Sequence, residues 1–96
     1  MCGSTAGGLS VEGIDVTKET VIQGAVVAGE EAVAGAYVRL LDSSGEFTAE
    51  VVTSATGGFR FFAAPGAWTL RALSSSGTGQ ASVDAERGVN EVFVSL

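Results

Sequence analysis

Short apolar stretches separated by evenly spaced turn residues constrain the fold of this chain more than any other feature. From Glu19 onward, segments rich in Val, Ile, Leu and Phe alternate with segments rich in Gly, Ser and Asp. This pattern is typical of an all-β sandwich or barrel, because each strand contributes one apolar face and each turn needs residues with special backbone angles. No stretch of ten or more residues keeps the 3.6-residue period of a helix. The sequence therefore predicts an all-β fold.

Residues that favour turns mark most of the predicted strand ends. Asp42 and Gly45 occupy the first and last positions of a predicted turn, and Pro65-Gly66 suits a type II turn. Residues 29–31 are predicted to form another turn. Strands are predicted at residues 20–28, 36–42, 47–54, 59–63, 68–73, 80–85 and 91–96. The predicted fold class is therefore a single-domain, seven-stranded antiparallel β-sandwich.

The first 17 residues differ in composition from the rest of the chain. Residues 1–17 are rich in Gly, Ser, Thr and Ala, with isolated apolar side chains such as Leu9 and Ile14. Because no steady period appears there, we expect a flexible or loosely docked arm ahead of a sandwich domain at 18–96. The start carries neither the basic nor the apolar region of a signal peptide, which predicts a cytoplasmic protein.

Composition excludes several classes of function. The 96 residues include 5 Lys and Arg against 11 Asp and Glu, for a formal net charge of −6. Nucleic acids and anionic membranes are poor partners for such a chain, because binding them relies on Lys and Arg. The absence of His excludes Ser-His-Asp triads, Cys-His pairs and His-ligated metal sites. We therefore expect no catalytic residues, no cofactor and no metal, and a protein that is not an enzyme.

Cys2 is the one reactive side chain that stands out. It is the only cysteine, so no internal disulfide can form. If Met1 is removed, the Cys2 thiol lies beside a free α-ammonium group, whose positive charge favours the reactive thiolate. Such a thiolate can accept sulfane sulfur as a persulfide, or form a mixed disulfide. The alternative is an incidental thiol at a chain end.

Four segments carry a pattern that spans most of the chain. They are TVIQGAVV from Thr20, GAYVRL from Gly35, SATGGFRF from Ser54 and APGAWTLRA from Ala64. Together they resemble the carboxypeptidase regulatory-like domains, in which the first strand holds an inward glycine. The resemblance covers residues 18–96 and implies a seven-stranded sandwich of the transthyretin (prealbumin) type.

Two further strings narrow the resemblance. LLDSSGEFTAEV begins at Leu40 and FRFFAAPG begins at Phe59. With the Met1-Cys2-Gly3 start, they resemble a small actinobacterial family of unknown function that is associated with thiosulfate sulfurtransferases. The resemblance implies a link to sulfur metabolism, with a thiosulfate sulfurtransferase or its acceptor as partner. It brings no established catalytic residues.

Side chains alternate between the two faces of a strand, and this alternation (here called parity) divides the aromatic residues between an inward and an outward face. Phe59, Phe61 and Trp68 fall on the inward parity and are predicted to lie in the core. Phe62 and Phe93 fall on the opposite parity. In the resembling fold their strands share a sheet, so we expect both rings on its outer face.

The outward aromatic residues are the candidate interface. Exposed aromatic patches usually mark a partner or dimer contact, which favours Phe62 and Phe93 as interface residues. Tyr37 lies opposite in parity to Val38 and Leu40 and is the third candidate. The alternative is that the N-terminal arm folds across the two phenylalanines with its own apolar side chains.

Charged side chains on predicted strands suggest ion pairs rather than chemistry. Glu46 and Glu50 are four residues apart on the third predicted strand, so both should point to one face. If that strand neighbours the second, and the second neighbours the fifth, Arg39 and Arg71 share this face. Surface ion pairs worth less than about 1 kcal/mol each are then expected, rather than an acid–base pair or a cation site.

Lys18 and Asn90 are candidates for an isopeptide bond between the first and last strands. Related surface sandwiches join a first-strand Lys to a last-strand Asn, assisted by a buried acid, for which Glu46 or Glu50 could serve. Lys18 precedes the apolar part of its strand, which favours instead a solvated Lys and a turn Asn.

Two functions stay open at this point. The first is a non-catalytic accessory protein of sulfur metabolism that uses Cys2 as a sulfur or redox carrier. The second is a purely structural interaction module, either a homodimer or a scaffold, without thiol chemistry.

Overall fold

The computed structural model describes residues 19–96, which form eight β-strands and no helix. The strands are β1 (Thr20–Ala28), β2 (Glu31–Ala32), β3 (Tyr37–Leu41), β4 (Phe47–Val52), β5 (Gly58–Phe62), β6 (Gly66–Ser74), β7 (Gly77–Ala85) and β8 (Gly88–Ser95). The predicted all-β sandwich is confirmed. The eighth strand is the two-residue β2, which begins at Glu31, directly after a turn at Gly29 and Glu30 that agrees with the predicted turn at 29–31.

The strands form two four-stranded sheets. The β3 sheet has the order β4-β3-β6-β7 and is antiparallel throughout. In the β1 sheet, one edge of β1 pairs with β5 and β2, and the other edge pairs with β8. The central position of β1 agrees with its run of Val and Ile, which suits a strand buried between neighbours.

The β1–β8 pair is parallel, which differs from the predicted antiparallel sandwich. Its register runs from Thr20 opposite Gly88 to Val27 opposite Ser95. The short connection at residues 86–87 carries the chain from the β3 sheet to the end where β1 begins. Strand β8 therefore starts beside Thr20 and runs in the same direction as β1.

The core lies between the two sheets and comes from the inward side chains of both. Its members include Ile22, Val26, Val38, Leu40, Phe59, Phe61, Leu70, Ala72, Val92 and Val94. The core positions predicted for Phe59 and Phe61 are confirmed, and their ring centroids lie 6.1 Å apart. Trp68 packs against this core but is only partly buried, and its indole N–H donates to the Ala64 carbonyl oxygen at 2.8 Å.

Gly24 lets β1 and β8 approach each other closely. It occupies the inward parity between Ile22 and Val26. A Cβ atom at this position would lie 1.6 Å from the Val92 carbonyl oxygen. Any side chain would therefore collide with backbone, which explains the inward glycine of the first strand.

Thr53 anchors the segment that leads into β3. Its hydroxyl accepts the Ala36 N–H at 2.8 Å and donates to the Val33 carbonyl oxygen at 2.7 Å. Thr53 is buried, so these bonds satisfy backbone groups that water cannot reach. The residues before β3 are thus fixed to the end of β4.

No helix within residues 19–96 is long and apolar enough to cross a membrane.

Candidate functional site

Several predicted features lie outside the described residues. Cys2, the predicted arm at 1–17 and Lys18 all precede Glu19. The candidate residues within 19–96 lie on the outer faces of the two sheets.

The outer face of the β3 sheet carries an apolar row. Val52, Tyr37 and Leu73 lie side by side in register across β4, β3 and β6. Tyr37 is 52% exposed and Val52 is 57% exposed, whereas Leu73 is partly buried. The exposure of Tyr37 agrees with its predicted place in an interface.

Two arginines lie next to this apolar row. Arg39 follows Tyr37 on the same face of β3, and Arg71 lies directly opposite Arg39 on β6. The Arg39 Nε donates to the Glu50 Oε2 at 2.8 Å, which confirms the predicted ion pair between neighbouring strands. Arg71 has no such carboxylate partner among residues 19–96. We call the surface made by Tyr37, Val52, Leu73, Arg39 and Arg71 the Tyr37 face.

The predicted pairing of Glu46 with Glu50 on one strand is wrong. Glu46 precedes β4 and belongs to the turn that Asp42 organises. The Asp42 Oδ1 accepts the Ser44 N–H at 2.9 Å, the Ser44 hydroxyl at 2.7 Å and the Glu46 N–H at 3.0 Å. These bonds, first the Ser44 side-chain bond, lower the pKa of Asp42. The turn is a structural feature, and Glu50 is left as the ion-pair partner of Arg39.

Phe62 and Phe93 emerge on the outer face of the β1 sheet, as parity predicts. They are 58% and 64% exposed. Phe62 lies opposite Val21 and Phe93 lies opposite Ala25, on the two flanks of β1. Four residues of strand are about 13 Å long, so the rings sit at diagonal corners and form no continuous patch. Tyr37 lies on the other sheet, so the three candidate residues do not share one surface.

A polar row separates the two phenylalanines. The Arg60 Nε donates to the Gln23 Oε1 at 3.1 Å, and the Gln23 Nε2 donates to the Glu91 Oε2 at 3.5 Å. Gln23 is only 6% exposed, and the Arg60 Nη2 is buried without a hydrogen-bond partner among residues 19–96. We call Arg60, Gln23 and Glu91 the Gln23 row. Parity places Gln23 outward, but no signal in the sequence indicates that it is buried.

Asn90 braces the turn between β7 and β8. Its amide nitrogen donates to carbonyl oxygens of Val21 at 3.0 Å, Glu86 at 2.8 Å and Gly88 at 3.3 Å. Its amide oxygen accepts the Glu86 N–H at 3.0 Å. These contacts give Asn90 the turn-forming role that the sequence favours over an isopeptide bond.

Residues 19–96 contain no group of three or more Cys, Asp or Glu side chains that could hold a metal ion. What the described side chains offer is two outer faces of different character. One is apolar and cationic, and the other is polar with aromatic corners.

Sequence comparisons place this chain beside mycobacterial proteins. The family model described as "Protein of unknown function (DUF1416)" matches residues 2–96. The uncharacterised proteins Rv0814c and Rv3118 of Mycobacterium tuberculosis are each 60% identical over 99 residues, covering 100% of this chain and 99% of the relative. An uncharacterised protein of Mycolicibacterium smegmatis is 63% identical over 86 residues, covering 88% of this chain and 96% of the relative. The expected actinobacterial family of unknown function is thereby confirmed.

A solved structure shares the architecture. A DUF3823 family protein from Parabacteroides merdae superimposes with a TM-score of 0.61 at 17% identity. The match covers 80% of this chain but only 45% of that protein. At this identity the likeness concerns the fold alone.

Proposed function

Because the chain belongs to the DUF1416 family of proteins of unknown function, we propose its function from its surface: a non-catalytic module that binds a protein partner. The Tyr37 face is the proposed binding surface. The single observation that supports this choice is the exposed Tyr37 side chain between Val52 and Leu73, with Arg39 and Arg71 alongside.

The chemistry of the Tyr37 face suits protein recognition. Tyr and Arg are enriched among the residues that dominate interface energies, because each combines a large apolar area with polar atoms. Arg71 has no carboxylate partner among residues 19–96, on a protein whose net charge is −6. The partner that fits this face presents an apolar side chain to Tyr37 and a carboxylate to Arg71.

We propose a thiosulfate sulfurtransferase as that partner, on the basis of the sequence resemblance. Binding is tested by titrating this protein with a purified thiosulfate sulfurtransferase from the same organism. Tyr37→Ala should weaken binding by at least about tenfold, which corresponds to about 1.4 kcal/mol. Thr78→Ala changes an exposed side chain in the same cross-strand row on β7 and should leave the affinity unchanged. Equal affinities for the two variants would show that the binding surface does not include Tyr37.

Cys2 gives this proposal a chemical step. The Cys2 thiolate attacks the outer sulfur of a persulfide on the sulfurtransferase. The sulfur–sulfur bond in that persulfide breaks, a new one forms at Cys2, and the enzyme thiolate leaves. One sulfur atom moves and no external oxidant or reductant is needed.

Intact mass separates sulfur carriage from simple binding. After incubation with the sulfurtransferase and thiosulfate, carriage predicts one added sulfur atom, which is absent in Cys2→Ala. Binding without an added sulfur atom would instead support a structural module in which the Cys2 thiol has no role. A dimer in light scattering that is lost in Phe62→Glu would instead support a homodimer built on the phenylalanine side.

A further inference from the structure

We propose that two copies of this chain pair through the free edge of β7, which joins their β3 sheets into one continuous antiparallel sheet. This edge lies apart from the Tyr37 face, so the pairing goes beyond the proposed function and does not depend on it. The two edge strands of the β3 sheet, β4 and β7, differ in how well they can accept another strand.

Strand β7 is long, regular and open on one side. Its 9 residues, Gly77–Ala85, pair with β6 in an unbroken register, and no strand of residues 19–96 pairs with its other edge. Asp84 is its only charged residue, and it contains neither Lys nor Pro. Natural proteins block exposed edges with charges, Pro, bulges or short strands. An edge that lacks most of these devices is suited to pairing with another strand.

Strand β4, at the opposite edge of the same sheet, is better protected. It is shorter, at 6 residues, and it carries Glu50 near its middle. Its pairing with β3 also shifts register between Leu40 and Leu41. Such an irregularity bends an edge strand and increases its twist, which hinders the addition of a further strand. Only β7 therefore offers a regular edge on this sheet.

The register identifies the backbone groups that lie at the free edge of β7. In an antiparallel sheet, a residue that bonds the strand on one side is followed by a residue that bonds the strand on the other side. The Thr53 N–H donates to the Ala36 carbonyl oxygen between β4 and β3, which fixes this alternation. Followed through β3, β6 and β7, it directs the odd-numbered residues of β7 toward β6. Four residues therefore point their N–H and C=O groups out of the sheet: Thr78, Gln80, Ser82 and Asp84.

These four residues complement the same residues of a second copy. With a twofold axis at Ala81, Gln80 lies opposite Ser82 of the second copy. Thr78 then lies opposite Asp84 of the second copy, so no charge meets a like charge. Each opposed pair exchanges two hydrogen bonds, which satisfies all the edge groups of both strands.

The inward side chains of β7 are also complementary in this register. Val83 lies opposite Gly79 of the second copy, so a larger side chain meets a position without one. Both Ala81 and Val83 pack against the core of their own sandwich. A Cβ atom at Gly79 would lie 2.1 Å from the Ser95 carbonyl oxygen, so the end of β8 supports β7 from within. The edge is therefore held in place before it meets a second copy.

Pairing would place two Tyr37 faces on one surface. A twofold axis perpendicular to the joined sheet keeps both outer faces on the same side. Strands β6 and β7 of each copy lie between the two β3 strands, which are then about 24 Å apart. A dimer could thus engage two sites on one partner, a consequence that rests on the proposed function.

Hydrogen exchange at increasing protein concentration tests the pairing. The full-length chain carries Cys2→Ser, which excludes a disulfide-linked dimer. We predict a reversible monomer–dimer equilibrium in sedimentation, with the amides of Gln80 and Ser82 gaining protection as the dimer forms. The amide of Glu50, which points out of the β4 edge, is the matched control and should exchange equally fast at every concentration. A monomer throughout, a dimer that leaves Gln80 and Ser82 unprotected, or full protection already in the monomer would overturn the proposal.

Variants of β7 test the edge and its register. Ser82→Pro removes one edge N–H at a position where an edge strand tolerates Pro, and it should weaken dimerisation by at least about tenfold. Phe62→Glu, on the other sheet, should leave dimerisation unchanged. Mixing Gln80→Lys with Ser82→Glu places the new Lys opposite the new Glu only in mixed dimers, which should outnumber the two homodimers together in native mass spectrometry. Undiminished dimerisation of Ser82→Pro, loss of the dimer in Phe62→Glu, or a statistical mixture would contradict the pairing.

Discussion

Replacing Gly24 by Ala should disrupt the pairing of β1 with β8. The added Cβ would lie 1.6 Å from the Val92 carbonyl oxygen and 2.7 Å from its carbonyl carbon. An ordinary van der Waals contact of a Cβ atom is 3.4 Å or longer, so the two backbones must separate by over an ångström. Overpacking of a well-packed core costs about 1–3 kcal/mol. Because the obstacle here is backbone rather than a movable side chain, we expect a cost of about 3 kcal/mol or more.

Thermal and urea unfolding measure this cost. For a domain of this size, 3 kcal/mol corresponds to a fall in Tm of roughly 12–24 °C. Gly45→Ala is the control, because its Cβ would enter open space while its φ of 86° penalises any side chain. That variant should lose only about 1–2 kcal/mol. A loss for Gly24→Ala no larger than that for Gly45→Ala would refute the close approach of β1 and β8.

Three further predictions concern polar contacts. Thr53→Val removes the hydroxyl that bonds two buried backbone groups, so urea unfolding should show a loss of about 1–3 kcal/mol. The pKa of Asp42 is lowered from 3.8 in the fold, so its carboxylate stabilises the protein above that pH and the contribution fades as pH falls through the lowered pKa. The Tm difference between wild type and Asp42→Ala should therefore be largest at neutral pH and vanish in strong acid; a difference that grows in acid would contradict the turn geometry. The exposed Arg39–Glu50 pair should show a coupling below about 1 kcal/mol in a double-mutant cycle, and salt should weaken it. A larger coupling that resists salt would mean that the pair is buried in solution.

Local patterns in the sequence predict much of this fold. The two-residue period of strands correctly predicts that Phe59 and Phe61 face the core while Phe62 and Phe93 face outward. It succeeds because side-chain direction depends only on position within one strand. The Asp42 turn is also predictable, because the Asp side chain bonds backbone groups only two and four residues away.

Features that depend on distant parts of the chain do not follow from local patterns. The alternation along a strand says that Tyr37 and Phe62 point outward, but their places on opposite sheets followed only from the resembling fold, since strand partners are set by long-range register. The parallel course of β8 beside β1 has the same origin. Burial of Gln23 depends on what lies above its sheet, which the alternation within one strand does not encode.

The two outer faces of this protein differ in character. The Tyr37 face combines exposed apolar side chains with Arg71, which has no carboxylate partner among residues 19–96. The outer face of the β1 sheet carries the Gln23 row between the exposed Phe62 and Phe93. The three aromatic interface candidates therefore lie on two separate surfaces.

Fluorine NMR of the single tyrosine tests the central claim most directly. Because the chain has 1 Tyr, 3-fluorotyrosine labelling gives one resonance that reports on Tyr37 alone. We predict that cleared lysate of the native organism shifts or broadens this resonance until it saturates, and that Arg71→Glu abolishes the effect while Arg87→Glu preserves it. An unchanged Tyr37 resonance while the protein co-migrates with a larger partner in gel filtration would contradict binding through this face.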